Sequence, residues 1–242
     1  MRLVVTGGTG YLGRELVARS GARGLSSRDV DVRDAAAVDA ALAPYDAVVH
    51  TAYRQDPPDA WSVNVDGSRN VARAARGKRL VHISTDVVFA GDLGRPYVEN
   101  DVPTPVHDYG RSKAAAEEAV REEHPAPLIV RTSLIYGGEE PSKHELAARD
   151  RSLTFYEDEL RNPIHVGDLA AALLELMAMD VAGTLHVAGA EAVSRCEFAR
   201  LVSGDARCAP APPGRPLDCR LDSSRAQALL RTRLRGVREV LA

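Results

Sequence analysis

The sequence predicts an α/β fold built on a doubly wound parallel sheet. Short, almost continuously apolar segments alternate with longer segments of helical periodicity along most of the chain, and this alternation is typical of βαβ units. The strand segments at residues 3–5 and 46–50 contain few polar residues, as expected for parallel strands, which are buried on both faces. A glycine cluster at residues 7–13 joins the first strand to the first helix.

Each helix and strand is predicted from its periodicity and from the residues that stop it. Gly21 and Gly77 end two helical segments, and Asp34 is an N-cap residue at the start of another. The predicted strands cover residues 3–5, 46–50, 79–84, 128–131 and 184–187, with a weaker one near Leu25. The predicted helices cover residues 14–19, 34–42, 62–76, 112–123, 167–179, 196–202 and 223–230.

Composition and charge restrict the function class. The 242 residues include 31 Lys and Arg against 34 Asp and Glu, a net charge of −3, which argues against a dedicated nucleic-acid-binding protein. The arginine-rich segment 225–238 is interpreted as the solvated side of an amphipathic helix. The longest apolar stretch, residues 169–179, is interrupted by Glu175 and is too short for a membrane span. No secretory signal pattern opens the sequence, so we expect a cytoplasmic protein that binds neither membrane nor nucleic acid.

The cysteines and histidines do not indicate a disulfide framework or a metal site. Cys196, Cys208 and Cys219 are an odd number and contain no C-x-x-C pair, so we predict reduced thiols. The histidines lack paired ligand spacing, and His144 beside Glu145 is interpreted as part of a solvated loop. We therefore predict no metal site.

The segment Gly8-Thr9-Gly10-Tyr11-Leu12-Gly13 fits the pattern G-x-G-x-x-G between a strand and a helix. In that context the pattern binds dinucleotides. Residues without side chains let backbone N–H groups approach a pyrophosphate, and the helix N-terminus adds positive potential. The sequence thus predicts a nucleotide-binding domain of the Rossmann type.

The end of the second strand decides which nicotinamide dinucleotide is bound. A carboxylate at this point holds the ribose 2′-hydroxyl of NAD, whereas the 2′-phosphate of NADP requires positive charge. Arg28 can pair with a phosphate in bidentate geometry, and Ser26 and Ser27 can donate hydrogen bonds, while Asp29 argues for NAD. We predict NADP(H) in preference to NAD(H).

Tyr109 and Lys113 are spaced i, i+4, which places their side chains on one face of a helix. A neighbouring ammonium lowers the pKa of a tyrosine and makes its phenol useful as an acid or base near neutral pH. The strand-end residues Ser84, Thr85 and Asp86 include a hydroxyl donor that can polarise a carbonyl, since ligands of open α/β sheets bind at the carboxyl ends of the strands. Together with the glycine loop, this constellation predicts reduction of a carbonyl group.

These motifs resemble the extended short-chain dehydrogenase/reductase superfamily and, within it, the dTDP-4-dehydrorhamnose reductase family. The resemblance implies a Rossmann doubly wound parallel sheet with a small C-terminal substrate lobe. It is carried by residues 6–13, 31–34, 50–53, 63–65, 82–91, 95–99, 109–113, 130–133, 136–137, 163–169 and 221–224, together with Asn70 and Glu117.

The resemblance also implies a role for each matched position. Tyr109 would protonate the carbonyl oxygen, Lys113 would hold the nicotinamide ribose, and Thr85 would hydrogen-bond the reacting oxygen. Ser84 and Asp86 would lie close to the substrate. The residues expected at the cofactor, besides Tyr109 and Lys113, are Gly7, Gly10, Tyr11 and Leu12 at the pyrophosphate, Ser26, Ser27 and Arg28 at the 2′-phosphate, Asp31 and Val32 at the adenine, and Thr51, Ala52 and Tyr53 at the inner ribose.

Val87 and Leu134 depart from the family pattern. The family usually carries aromatic residues at both positions, where they border the sugar, whereas this chain carries aliphatic ones. We assign both to the substrate, and their nature motivates an alternative substrate, a small non-sugar ketone or a natural-product intermediate. A third interpretation is a non-catalytic NADP-binding regulatory subunit, like the related regulatory subunits of methionine adenosyltransferase.

The leading interpretation is an NAD(P)H-dependent reductase of a keto group on a nucleotide-activated 4-keto-6-deoxysugar. The predicted domains are a Rossmann domain at residues 1–137, to which segments near 163–188 return, and a mixed region at 138–242 that contains the substrate lobe. The expected partner is the small-molecule substrate. The oligomeric state is left open, with a homodimer as one alternative.

Overall fold

The computed structural model describes residues 1–56 and 58–241 of the chain. The strands are β1 Leu3–Thr6, β2 Arg23–Leu25, β3 Ala47–His50, β4 Arg79–Thr85, β5 Leu128–Thr132, β6 Ile135–Tyr136, β7 Thr154–Tyr156, β8 Leu160–Arg161, β9 Ile164–His165, β10 Gly183–His186, β11 Val193–Ser194 and β12 Arg207–Ala209. The helices are α1 Tyr11–Ser20, α2 Ala35–Leu42, α3 Gly67–Ala74, α4 Asp108–Glu123, α5 Lys143–Arg149, α6 Val166–Met177, α7 Arg195–Ser203, α8 Ser224–Leu229 and α9 Val237–Leu241.

The central sheet confirms the predicted fold class. In the described part of the chain its strand order is β10-β5-β4-β3-β1-β2. β1 pairs in parallel with both β2 and β3, and β3 pairs in parallel with β4. The chain thus adds β2 on one side of β1 and then β3, β4 and β5 in turn on the other, which is the doubly wound arrangement of Rossmann folds.

Local sequence explains where the first helices begin and end. The carboxylate of Asp34 caps α2 by accepting hydrogen bonds from two backbone N–H groups of its first turn, at 3.0 and 3.1 Å. Gly21 ends α1 with a φ of 67°, in the left-handed region that glycine adopts without strain. α4 begins at Asp108, earlier than predicted, so Tyr109 lies within the helix.

The helix predicted at residues 62–76 has two parts. Residues Ser62–Asp66 form a π-helical turn, and α3 follows it. A π-helical turn winds additional chain into the helix and is frequent at functional sites. No helix in residues 1–56 or 58–241 combines the length and the apolar character that crossing a membrane requires.

The chain divides into two compact units, whereas the predicted domain boundaries stay a prediction. The first unit comprises Met1–Ser84, Asp108–Val130 and Leu173–Thr184, and the second unit comprises Thr85–His107, Arg131–Ala172 and Leu185–Ala242. The core of the first unit includes Val4, Val38, Leu42, Val48, Val71, Leu80, Val120 and Ile129. The second unit has one buried cluster of Tyr136, Val193, Phe198 and Val237 and another of Ala148, Phe155, Cys196 and Ala199.

Two predictions about the second unit are wrong. Cys196 and Cys208 are not reduced thiols but form a disulfide, while Cys219 is a buried free thiol. The bonded cysteines are 12 residues apart in sequence, and it is the packing of α7 against β12 that brings them together, which no sequence motif marks. Residues 225–238 do not form one amphipathic helix, because α8 ends at Leu229 and α9 begins at Val237.

The predicted solvated loop around His144 is a helix. Ser142 accepts a hydrogen bond from the N–H of Glu145, whose carboxylate accepts one from the N–H of Ser142, and this reciprocal capping box starts α5. Burial lowers the pKa of His144 to about 3. His144 is therefore a neutral, packed side chain.

Candidate active site

The glycine loop of the first unit is tightly folded. Gly7 has a φ of 73°, and a Cβ added there would lie 2.7 Å from the backbone N of Ala52. A Cβ on Gly13 would lie 2.1 Å from the carbonyl O of Gly7. Larger residues at these two positions would force the loop open, since real Cβ atoms do not approach so closely. The Thr51 hydroxyl closes the base of the loop by donating to the carbonyl O of Thr6 at 2.8 Å.

The N-terminus of α1 faces the outer side of this loop. Gly10 is the exposed N-cap residue and supplies no side-chain cap to the helix. The first N–H groups of a helix have no acceptor within it and carry partial positive charge, so they suit an anion. Gly10 adds no side chain in front of these groups, and Gly10 and its neighbour Thr9 are exposed to solvent. The residues present therefore fit a dinucleotide pyrophosphate.

Asp29, the one residue at this strand end that favours NAD, forms hydrogen bonds and an ion pair with its neighbours. Its carboxylate accepts hydrogen bonds from the backbone N–H and the hydroxyl of Ser26, at 2.8 and 2.6 Å. Arg23 contacts the other carboxylate oxygen at 3.1 Å. The hydrogen bonds from Ser26, with a contribution from Arg23, hold the pKa of Asp29 below its usual value. Ser27 and Arg28 are exposed beside it.

The segment predicted at the adenine is held by arginine and asparagine. Arg33 donates to the carboxylate of Asp31 at 2.7 Å, and its hydrogen bonds lower the pKa of that carboxyl. The neighbouring Val32 is buried, and its carbonyl O accepts a hydrogen bond from the side chain of Asn70 at 3.0 Å. A Cβ added to Gly67 would lie 2.6 Å from the Val32 side chain, so α3 packs closely against this segment.

Tyr109 and Lys113 lie one turn apart on α4, as their spacing predicts. Lys113 is 3% exposed, and its Nζ donates to the carbonyl O of Ile83 at 2.7 Å. Burial lowers the pKa of Lys113 to about 8, although Glu117 acts in the opposite direction. Tyr109 is half-buried, and its ring centroid lies 5.9 Å from that of Tyr53. The structure therefore brings two predicted cofactor residues, Tyr53 and Tyr109, into contact.

Two histidines behind Lys113 were missed by sequence reasoning. Nε2 of His82 lies 3.4 Å from Nζ of Lys113, and the ring of His50 lies 5.3 Å from the ring of His82. Burial is the main cause that lowers the pKa of His50 to about 3 and that of His82 well below its usual value, so both rings are neutral. They are partners in the register of β3 and β4, and the signal that could have found them is a polar residue in each of two otherwise apolar strands.

Further polar contacts fix the His50 ring and the first turns of α4. His50 is hydrogen-bonded to the hydroxyl of Thr6 at 2.6 Å and to that of Ser68 at 3.1 Å. Asn64, in the π-helical turn, donates to the hydroxyl of Ser112 at 2.9 Å. Because Ser112 lies between Tyr109 and Lys113 on α4, this contact positions the helix turn that carries both side chains.

Ser84, predicted at the substrate, donates its hydroxyl to another residue of the first unit. Its Oγ lies 2.5 Å from a carboxylate oxygen of Glu117, which is fully buried and also accepts from Arg121 at 3.0 Å. The structure therefore gives Ser84 a contact that holds β4 to α4.

Thr85 and Asp86 lie in the second unit, where a buried network surrounds the carboxylate. The hydroxyl of Thr85 donates to one oxygen of Asp86 at 3.1 Å, and that of Ser133 donates to the other at 2.6 Å. Arg161 lies 3.6 Å from the same carboxylate. Burial raises the pKa of Asp86, and Arg161 and the two hydroxyls oppose this effect. Asp86 thus orients the hydroxyl of Thr85.

The second unit contains two further arginines with little solvent exposure: Arg161 is buried and Arg195 is half-buried. Arg161 is 4% exposed and donates to the carbonyl oxygens of Pro216 and Leu217. Burial lowers the pKa of Arg195 to about 10. Arg215 contacts Glu159 and lies over the ring of Tyr156, 4.8 Å from its centroid. Val87 and Leu134, the predicted substrate residues with aliphatic side chains, are half-buried in this unit.

Comparisons with known proteins identify one family. The family described as "RmlD substrate binding domain" matches residues 1–242. The chain is 36% identical, over an alignment of 273 residues, to a dTDP-4-dehydrorhamnose reductase of Mycolicibacterium smegmatis, covering 99% of this chain and 84% of the relative. It is 37% identical over 225 residues to a dTDP-4-dehydrorhamnose reductase of Mycobacterium tuberculosis, covering 83% of this chain and 74% of the relative.

Among solved structures, a dTDP-4-dehydrorhamnose reductase of Bacillus anthracis in complex with NADP superposes with a TM-score of 0.89 at 26% identity, covering 99% of this chain and 96% of that one. The enzyme WbmG of Bordetella bronchiseptica, in complex with NAD, superposes with a TM-score of 0.82 at 21% identity, covering 97% and 89%. At that identity the second likeness shows the fold.

Proposed function

The chain belongs to the family of the RmlD substrate binding domain, which confirms the resemblance seen in the sequence, and on this basis we propose that it reduces the keto group of a nucleotide-activated 4-keto-6-deoxysugar with NAD(P)H. Relatives at 36% and 37% identity that are named dTDP-4-dehydrorhamnose reductase support this substrate class. The observation that carries the proposal is the turn of α4 that places Tyr109 beside the buried Lys113, in the unit that also contains the glycine loop.

The cofactor of this proposal is NADP(H) in preference to NAD(H). The loop around Gly7 and Gly10 would hold the pyrophosphate at the N-terminus of α1. Arg28 and Ser27 would meet the 2′-phosphate, and Ser26, also expected there, could donate to it only by releasing Asp29. Since Asp29 is occupied by Ser26 and Arg23, it does not present an unpaired carboxylate to repel that phosphate. The relative from Bacillus anthracis is in complex with NADP, which supports the same choice.

The other cofactor contacts follow the matched positions. Asp31 and Val32 would flank the adenine, and Thr51, Ala52 and Tyr53 would border the inner ribose. Lys113 would donate to the hydroxyls of the nicotinamide ribose. When bound, the cofactor supplies the hydride that reduces the carbonyl carbon.

In the proposed mechanism Tyr109 is the general acid. Its phenol gives a proton to the carbonyl oxygen as that oxygen gains negative charge. The ammonium of Lys113, one helical turn away, stabilises the phenolate that remains. Ile83 holds that ammonium by accepting its hydrogen bond, and the neutral ring of His82 lies behind it. Thr85 would hydrogen-bond the reacting oxygen by turning its one hydroxyl proton away from Asp86, to which it donates in this structure.

The aliphatic side chains of Val87 and Leu134 support a second candidate substrate. Stacking on a sugar face needs an aromatic ring, which neither residue has, so a smaller ketone is the alternative with the same chemistry. A panel of nucleotide-linked 4-keto sugars and small ketones separates the two substrates, because the preferred class has the higher kcat/KM.

The experiment that tests the proposal compares the wild type with Tyr109→Phe. Loss of the phenolic proton should reduce kcat for reduction of a dTDP-linked 4-keto-6-deoxysugar by about 10²–10⁴-fold. The dissociation constant of NADPH should stay unchanged, because phenylalanine keeps the ring beside Tyr53. Tyr45→Phe, in the same unit and packed against its core, is the matched control. Full turnover by Tyr109→Phe would disprove the assignment of Tyr109 as the acid.

A further inference from the structure

The disulfide of the second unit lies beside a carboxylate and at an open groove. It joins the first turn of α7 to β12, with Cα atoms of Cys196 and Cys208 5.5 Å apart. β12 pairs in parallel with β7, and Cys208 is opposite Phe155 in that register. Glu157 directly follows β7 and is exposed, and its backbone N–H donates to the carbonyl O of Ala209 at 3.1 Å. The short β7–β12 ladder therefore fixes the backbone of Glu157 next to the two sulfurs.

The side-chain atoms that could ligate a metal are close together. A carboxylate oxygen of Glu157 and the Sγ atoms of Cys196 and Cys208 all lie within 4.8 Å of one another. Two thiolates and a carboxylate are a donor set that Zn²⁺ accepts. In a tetrahedral zinc site the two sulfurs would stand about 3.8 Å apart, which is a displacement that side-chain rotation of the two cysteines can supply.

The surroundings leave one side of the site open to an ion and pack apolar residues against the other. The groove is lined by Glu157, Ser194, Cys196, Glu197, Arg200 and Leu201, and has a volume of about 490 Å³. Cys196 is 1% exposed and packs with Ala148, Phe155 and Ala199, whereas Cys208 is half-buried. The site thus has a rigid apolar wall on one side and water on the other.

The charges at the groove are balanced around Glu157. Glu197 is held by Arg238, and Arg200 contributes a positive charge to the lining. Glu157 has no ion-pair partner among the residues that the structure describes. It is therefore the carboxylate available to a cation at this place.

We propose that the reduced form of this site binds Zn²⁺ through Cys196, Cys208 and Glu157, and that the disulfide is its oxidised, metal-free form. A dithiol reductant supplies the two electrons and two protons that convert the disulfide into two thiols and itself becomes a disulfide. Zn²⁺ then displaces both thiol protons, which pass to solvent. A water from the groove completes the four ligands of the ion. The sulfurs cannot be bonded to each other and to the metal at once, so the redox state decides occupancy.

The test uses the full chain in reduced and in oxidised form, with Zn²⁺ as the titrant in calorimetry. The reduced protein should bind one Zn²⁺ per chain and release about two protons, which the dependence of the enthalpy on the buffer reports. The oxidised protein should bind none at the same concentration. Replacement by Co²⁺ should give a sulfur-to-cobalt charge-transfer band. The readout is metal binding, so the result does not depend on the proposed reductase activity.

Variants identify the ligands. Cys208→Ser should abolish binding, and because Cys208 is half-buried its variant can be checked for an unchanged melting temperature. Glu157→Gln should weaken binding by about tenfold or more, while Glu139→Gln, also exposed, should not. Cys219→Ala should bind as the wild type does, since burial raises the pKa of that thiol to about 12. No binding by the reduced wild type, or equal binding by the oxidised form or by Cys208→Ser, would overturn the proposal.

Discussion

The two units bury charge in different ways. In the first unit Lys113 is 3% exposed, and the groups its Nζ contacts are a backbone carbonyl and the neutral imidazole of His82. In the second unit Asp86 is 4% exposed, but two hydroxyls donate to it and the guanidinium of Arg161 lies 3.6 Å away. The pKa of Lys113 falls to about 8 because of burial. For Asp86, burial raises the pKa while its polar partners lower it.

Under the proposed function, Lys113 is a buried charge that serves chemistry, whereas Asp86 is a buried charge held by partners. A buried ion without an opposite charge in contact destabilises the fold, and such groups concentrate where function requires them. A buried ion that has a partner becomes costly only when the partner is removed. We therefore expect substitution of a buried cation to have opposite effects on stability in the two units.

The largest expected effect is in the second unit, for Arg161→Met. The variant leaves Asp86 without its cation and the carbonyl oxygens of Pro216 and Leu217 without their donor. We expect the free energy of unfolding to fall by about 3–5 kcal/mol, measured by denaturant titration. The exposed Arg149→Met serves as the control and should change it by less than about 0.5 kcal/mol.

A double variant sharpens this result. Arg161→Met combined with Asp86→Asn removes both charges, so it should recover part of the lost stability. Equal destabilisation in the single and double variants would show that Arg161 acts through its carbonyl contacts rather than through its charge.

The second effect is in the first unit, for Lys113→Met. At pH 7 the wild type must keep a buried ammonium, so the variant should equal or exceed it in unfolding free energy. The folded-state pKa is about 8, below the 10.5 of an unperturbed lysine, so between these values the unfolded chain binds more protons. The stability of the wild type should therefore rise relative to the variant as the pH increases from 8 to 10, by at most about 1.4 kcal/mol per pH unit.

Lys78→Met is the matched control for Lys113→Met. Nζ of Lys78 donates to the carbonyl oxygens of Leu42 and Tyr45, at 2.6 and 2.9 Å, at the surface side of the first unit. Its replacement should destabilise the chain at pH 7. A stability difference between wild type and Lys113→Met that does not change between pH 8 and 10 would contradict the view that Lys113 is buried at a cost.

The smallest expected effect concerns Arg28, an exposed cation of the first unit. If it meets the 2′-phosphate, Arg28→Ala should weaken NADPH binding by about tenfold and leave NADH binding unchanged. Fluorescence titration of both cofactors measures this. Arg19→Ala, at the other end of α1, should alter neither affinity. A loss of the same size for both cofactors would place Arg28 away from the 2′-phosphate.

Local patterns made most of the first unit predictable. Apolar strands, the glycine cluster and the i, i+4 spacing of Tyr109 and Lys113 each lie within a few residues, and the order of elements follows from their alternation. The contacts that tune the site are not local. His82 lies against Lys113 because β3 pairs with β4 and α4 packs on the sheet. No sequence spacing predicts that a histidine inside a strand will contact a lysine of a later helix.

The second unit was less predictable for the same reason. Ser133 and Arg161 reach Asp86 across long stretches of chain, and the disulfide depends on where α7 packs. The helix at residues 143–149 was missed although its Ser-x-x-Glu capping box stands in the sequence, because the charged residues around it suggested a loop. Here the local signal was present and was outweighed by composition.

The π-helical turn at Ser62–Asp66 determines how the side chains before α3 are rotated about the helix axis. Each residue of an α-helix advances the winding by about 100°. Deleting one residue from the turn would restore regular α-helical winding and swing Asn64 by about that angle, away from the hydroxyl of Ser112. The extra residue of the π-helical turn therefore determines the direction in which the Asn64 side chain points. A homologue that lacks this residue and has a regular helix here would need another side chain to hold the beginning of α4.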